Sequence, residues 1–231
     1  MTETIAGTTT ATSTTIHHRL DVLATRTDAP AFADAGGVLA THGDLRRIRG
    51  GWQHRLRAAG VHRHDRVALV MSGGWWMGAI LTATTGAAVA VPLDPGLTDH
   101  ELRDYLGMLE PAAIVADRAT ADRVAALAEA GVLVLVADHD MVDGTPDDEP
   151  RLPGDLAMLL LTSGTSARPK VVQLTNGNVL AAGTSVAGTM ELTPADRALN
   201  LMPMHHGHGL FAGLLGPLLS GGSTVCDRLR D

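Results

Sequence analysis

One cysteine, one tyrosine, two phenylalanines and three tryptophans are all that this 231-residue chain offers of those types. With only Cys226 available, no internal disulfide can form, and nothing calls for an oxidising compartment; a cytoplasmic location is the expectation. The shortage of aromatic rings, together with a formal charge of -7, speaks against nucleic-acid binding, which uses a basic face and stacking side chains. Long hydrophobic runs are also missing. The most apolar stretch, near residues 78–93, is broken by three threonines and closed by Pro92, so no membrane span is expected. The first fifteen residues, MTETIAGTTTATSTT, lack the cationic start and apolar centre of a secretory signal and read as a disordered tail.

What is present is a hydrophobic content of 45%, ample for a sizeable core. From Thr41, a plausible N-cap, Leu45, Ile48, Trp52, Leu56 and Ala59 recur at helical steps until Gly60 stops the pattern. RVALVM at 66–71 reads as a buried strand, 75–87 as a helix of small residues, and 88–95 as a second strand ended by prolines. Thr98 and Glu101 have capping-box spacing, and Leu102, Leu106 and Leu109 form the apolar face of the helix they open. A strand at 112–117, a helix at 119–130 and a strand at 132–138 continue the alternation. Such alternation is the signature of βαβ units, so the fold class is α/β: mainly parallel sheets with helices on both faces.

Residues 139–154 are acidic, contain three prolines and show no periodicity, which predicts a linker. The expected organisation is therefore a tail at 1–15, a first α/β subdomain at 16–138, the linker, and a second α/β segment at 155–231. In that last segment the pattern predicts a strand at 155–161, a loop at 162–169, a strand at 170–174 and a helix at 178–190. A strand at 198–202, a helix near 209–220 and a final strand STVC follow.

TSGTSARPK, residues 162–170, follows a buried strand and offers hydroxyls, a glycine and a cation, which is what polyphosphate oxygens require. Taken as composition, the same residues also suit a flexible surface turn that binds nothing. They are not a Walker A loop: counted from Gly164, Pro169 stands where the second glycine belongs and Val171 where the magnesium-binding hydroxyl belongs. MPMHHGHGL at 202–210 brings His205, His206 and His208 close together in sequence. Three ligands within four residues of one turn rarely share a tetrahedral ion, so no metal site is expected; ordinary loop histidines are the other plain reading. Trp75 and Trp76 are expected to pack at a helix start, one inside and one at the edge. Cys226 reads as a small buried hydrophobe.

The order of residues in 162–172 resembles the phosphate-binding loop of the adenylate-forming superfamily of acyl-CoA synthetases, adenylation domains and luciferases, S/T-S-G-S/T-S/T-G-x-P-K-G-V. Thr162, Ser163, Gly164, Thr165, Ser166, Pro169, Lys170 and Val172 fall on it, while Ala167 and Val171 replace its two later glycines. Pro203, His206 and Gly209 fall on the superfamily's P-x-x-H-x-x-G element, and THGDL at 41–45 is similar to its T-Y-x-E-L segment. SARPK and HGHGLFAGLL look most like the oxalate-CoA ligase branch.

The resemblance spans roughly residues 15–226 and implies ATP-dependent conversion of a small carboxylic acid to an acyl-adenylate, then transfer to a thiol. ATP, Mg2+ and coenzyme A are its implied cofactors. It places the ATP phosphates on Thr162, Ser163, Gly164, Thr165, Ser166 and Lys170, and the acyl pocket beside His206 and Gly209. It also implies that the catalytic lysine and magnesium-binding glutamate lie downstream, so this chain is expected to be an incomplete N-terminal portion, inactive alone and completed by a C-terminal half or partner chain. The alternative is a non-catalytic nucleotide- or partner-binding module.

Overall fold

A computed structural model of the chain describes residues 15–138, 144–146, 151–162 and 169–226. The expected tail and most of the expected linker lie outside them. Helix α1 (Ile16–Ala24), capped by Thr15, precedes a hairpin of β1 (Pro30–Asp34) and β2 (Gly37–Thr41). Helix α2 (His42–Ala58) starts where Thr41 predicts, and Thr41 and Asp44 satisfy each other's backbone N–H groups in a capping box. Strand β3 (Arg66–Val70), α3 (Gly74–Ala87), β4 (Val89–Pro92), α4 (Asp99–Leu109), β5 (Ala113–Ala116), α5 (Ala121–Leu127) and β6 (Leu133–Val136) then alternate as expected. After them come β7 (Leu156–Thr162), β8 (Lys170–Thr175), α6 (Asn176–Thr189) and β9 (Arg197–Asn200). A π-helical segment (His208–Leu215), α7 (Gly216–Ser220) and β10 (Ser223–Cys226) complete the described order.

Six strands form one sheet in the order β6-β5-β3-β4-β7-β8, parallel except for the β7–β8 pair. Four form a second in the order β2-β1-β10-β9, parallel except for the hairpin. Each sheet takes strands from both sides of residues 139–154, so that stretch does not separate two independent sheets. Strand β3 is buried on both faces: Val67 and Leu69 join the large core that holds α2 and α3, whereas Ala68 and Val70 pack toward α4 and α5. This is why its sequence is apolar without alternation.

Helix α3 has every residue from Trp76 to Thr85 buried, and it touches both sheets. Small side chains make that possible. A Cβ on Gly78 would stand 3.0 Å from Leu214 and 3.1 Å from the Phe32 ring. Trp76 is buried with its indole N–H donating to the Ala137 carbonyl at 2.9 Å, while Trp75 sits at the core's margin, as the sequence predicts. Two predicted helices differ. The one expected at 119–130 is limited to α5, because Asp117 accepts from the backbone N–H groups of Ala119 and Thr120 and holds a turn there. The one expected near 209–220 begins as π-helix and becomes α-helical at Gly216.

Both sheets end on edge strands that expose apolar side chains: Val171 and Val172 on β8, and Leu199, 62% exposed, on β9. Among the described residues no helix is long and apolar enough to cross a membrane.

Candidate functional site

The candidate phosphate loop is anchored by its two ends. Strand β7 lies beside β4 inside the sheet and is buried from Ala157 to Leu160, so its last residue, Thr162, is delivered from a rigid base. Thr162 pairs directly with Lys170, the first residue of β8, and the Thr162 hydroxyl donates to the Lys170 carbonyl at 3.5 Å. Lys170 is exposed, and it is the chain's only lysine. A strand follows Lys170, where a Walker A loop would start a helix whose N-terminus faces phosphate. Ser163, Gly164, Thr165, Ser166 and Ala167 lie outside the described residues.

A cavity of about 540 Å³ opens at the C-terminal ends of β3, β4, β9 and β10, the end where ligands bind in open α/β sheets. Its walls come from the turns after those strands: Ser72 to Gly74, Leu93 to Gly96, and Asn200 to His205, with Met71, Met77 and Cys226 completing them. β4 and β7 run parallel with Ala90 opposite Met158, so Pro92 and Thr162 end neighbouring strands on the same side of the sheet. The loop anchors and the cavity therefore share one end of the molecule.

Asn200 shapes the turn that carries the histidines. Its side-chain amide donates to the Gly209 carbonyl at 3.0 Å and its oxygen accepts from Met202 N–H at 3.1 Å. Gly209 is buried against that turn: a Cβ there would lie 2.6 Å from the Met202 carbonyl oxygen and closer still to that of Pro203. His205 lines the cavity with Nε2 3.7 Å from the Asp94 carboxylate. Burial pulls its pKa below the ordinary imidazole value, against the opposing pull of Asp94 and with help from His206. His206, the residue the motif singles out, is exposed, and its ring stands 4.4 Å from that of His205. Gly209 supports the turn from behind.

Asp94 was not singled out by the sequence, and His205 was weighed there only as a metal ligand or an ordinary loop histidine; a signal was available for Asp94, an acid in the first turn after a buried strand. Ser72, on the opposite wall, is held by its backbone N–H donating to Asp117 at 2.5 Å. Burial works against the charged form of Asp117, but hydrogen bonds from Ser72 and Thr120 outweigh it and keep the carboxyl below its ordinary range. Cys226 is half-buried, and burial pushes its thiol up to about 11, so it is no ready nucleophile.

Known proteins resemble this chain in sequence and fold. Residues 21–230 match the family model described as AMP-binding enzyme. A feruloyl-CoA synthase from an Amycolatopsis species is 33% identical over 192 residues, covering 82% of this chain and 39% of its own length. The oxalate-CoA ligase of Arabidopsis thaliana is 31% identical over 215 residues, covering 86% and 42%. Among solved structures, ATP-bound MatB from Rhodopseudomonas palustris superposes with a TM-score of 0.79 at 26% identity over 94% of this chain and 45% of its own. The chain thus spans about two fifths of the length of the curated relatives it matches.

Proposed function

The chain belongs to the AMP-binding enzyme family, and from that premise we propose that it serves ATP-dependent activation of a carboxylic acid as the portion that carries the phosphate loop and part of the acyl site. In this reaction a carboxylate oxygen attacks the α-phosphorus of ATP, the bond to pyrophosphate breaks, and an acyl-adenylate forms. The thiol of coenzyme A then attacks the acyl carbon; AMP leaves with the bonding electrons and the thiol proton passes to solvent. Magnesium enters with ATP as part of that substrate.

The observation that supports this reading is the shared sheet end: the Thr162–Lys170 pair closes β7 and the cavity wall follows β4, its parallel neighbour, so a nucleotide held at one would meet an acid held at the other. Lys170 would place a cation against the β- and γ-phosphates as charge moves onto departing pyrophosphate, and Thr162, Ser163, Thr165 and Ser166 would supply hydroxyls to their oxygens, with Gly164 letting the backbone close in. Positioning and preorganised charge are the main means by which phosphoryl-group chemistry is accelerated. His205 would border the acid from the cavity wall and His206 from the exposed rim of the same turn, with Gly209 fixing that turn. The likeness to an ATP-bound structure and to CoA ligases supports this assignment.

Relatives more than twice as long carry further segments, and turnover here is proposed to need groups of that kind, from this protein or a partner chain. Exchange of labelled pyrophosphate into ATP, run with a panel of carboxylic acids and with or without an added C-terminal portion of a relative, tests the proposal. Acid-dependent exchange is expected in the supplemented reaction. Its absence from every combination would defeat the ligase reading and favour a nucleotide- or partner-binding module.

A further inference from the structure

The cavity beside the loop has a composition that selects its occupant. Four methionines line it, Met71, Met77, Met202 and Met204, together with Leu93. Methionines fill irregular apolar space and adapt to varied apolar ligands. Among the described residues no lysine or arginine lines the cavity, and the one carboxylate that does is Asp94, 3.7 Å from His205. Asp94 is kept in place by accepting from the Gly96 N–H at 2.8 Å, so the acid cannot be discounted as a wandering surface group. A volume of about 540 Å³ falls in the range of small-molecule sites.

Building on the ligase reading above, we infer that this cavity takes the uncharged, apolar tail of a monocarboxylic acid, and that Asp94 at its rim rejects acids carrying a second carboxylate. The reactive carboxylate stays at the mouth, toward Thr162 and Lys170. A second carboxylate would have to shed water among methionine side chains, with no lysine or arginine among the described lining residues to meet it, and would approach Asp94 as a like charge. The substrate class so defined differs from the two-carbon diacid named for the oxalate-CoA ligases among the relatives.

The lone cysteine supplies a readout that needs no turnover. Cys226 lines the cavity and is the only thiol in the chain; its raised pKa makes alkylation by N-ethylmaleimide at pH 8 slow, and the rate of that slow reaction, followed by intact mass over hours, reports on occupancy. Octanoate and its length-matched diacid suberate are the probes, with cinnamate as an aromatic second case. Octanoate and cinnamate are expected to slow alkylation of the 231-residue chain at least threefold, and suberate to need at least tenfold higher concentration for the same effect. Met77→Trp, which fills the cavity, is expected to abolish protection. Asp94→Lys, a rim substitution independent of core packing, is expected to narrow suberate's disadvantage about fivefold, the effect of one half-exposed charge at close range.

Equal protection by suberate and octanoate, or none by any acid, would overturn the inference, and an unchanged ratio in Asp94→Lys would remove Asp94 as the selector. The outcomes separate from those of the exchange assay. Exchange supported equally by octanoate and suberate keeps the ligase reading and removes this one; protection of Cys226 without exchange for any acid removes the ligase reading and keeps the site.

Discussion

Thr162 and Lys170 stand opposite each other as the last pair of the β7–β8 ladder, with the Thr162 hydroxyl reaching the Lys170 carbonyl at 3.5 Å. The pairing fixes the span of the connection between them and points its two anchors to the side where the cavity opens. Because Lys170 is exposed and begins an edge strand, its charge can be removed with little structural cost. Lys170→Met is expected to reduce pyrophosphate exchange in the reaction supplemented with a relative's C-terminal portion about 100-fold while the melting temperature of the chain stays within about 1 °C of the parent, and Lys170→Arg to retain part of the activity. Exchange rates and thermal melts on the three proteins check this.

Gly209 is predicted to be intolerant of any side chain. Its Cβ would press on the Met202 and Pro203 carbonyls, which are backbone and cannot rotate away. Gly209→Ala should therefore cost about 1–3 kcal/mol, with the melting temperature falling about 2–4 °C for each kcal/mol. Gly188 in α6 has nothing within 4 Å of its Cβ position, and Gly188→Ala should instead stabilise by up to about 1 kcal/mol. Equal effects of the two substitutions in a thermal melt would contradict the packing described.

Stability should fall as the pH drops below 6.5. Burial, with the nearby charges of Arg49 and Arg151, holds the His17 pKa well below its ordinary value of 6.5. Burial does the same to His42, although the Gly222 carbonyl at 3.0 Å partly offsets it. The unfolded chain takes up these protons near 6.5 and the folded chain does not. Stabilisation is therefore complete above that value and declines below it, by about 1.4 kcal/mol per pH unit for each histidine involved. The lowered carboxyls of Asp117 and Asp155 act only at more acidic pH, near and below their ordinary value of 3.8. Urea unfolding between pH 5 and 7.5 is expected to show this slope, reduced by about one proton in His17→Gln.

Much of the architecture was legible because local chemistry and tertiary packing agree. Thr98 and Glu101 form the capping box their spacing predicts, and Leu45, Ile48, Trp52 and Leu56 are buried on one face of α2. α6 begins at Asn176, earlier than the predicted 178, because Thr175 and Asn178 build a capping box with asparagine in the place usually held by glutamate. The π-helical turn left no periodic trace in HGLFAGLL, where apolar and glycine residues are buried on several sides.

Beyond the turn that the resemblance set beside an acyl pocket, the walls of the cavity could not be read. Met71 and Met77 are separated from Met202 and Met204 by more than a hundred residues, and they meet because β10 and β9 join a sheet started by the N-terminal hairpin, placing it against α3. His205 shows the same limit. Adjacent histidines in a turn look alike in sequence, and only the fold puts one on the cavity wall and its neighbour in solvent.

The claim that the Thr162–Lys170 loop grips ATP phosphates can be measured on Lys170 itself, since it is the only lysine in the chain. Labelling with an amine-reactive ester, quantified peptide by peptide against the α-amino group, should slow at least fivefold at Lys170 in MgATP or magnesium pyrophosphate while the α-amino group is unaffected. Labelling of Lys170 at the same rate with and without these ligands, in the chain alone and with a relative's C-terminal portion added, would contradict the account.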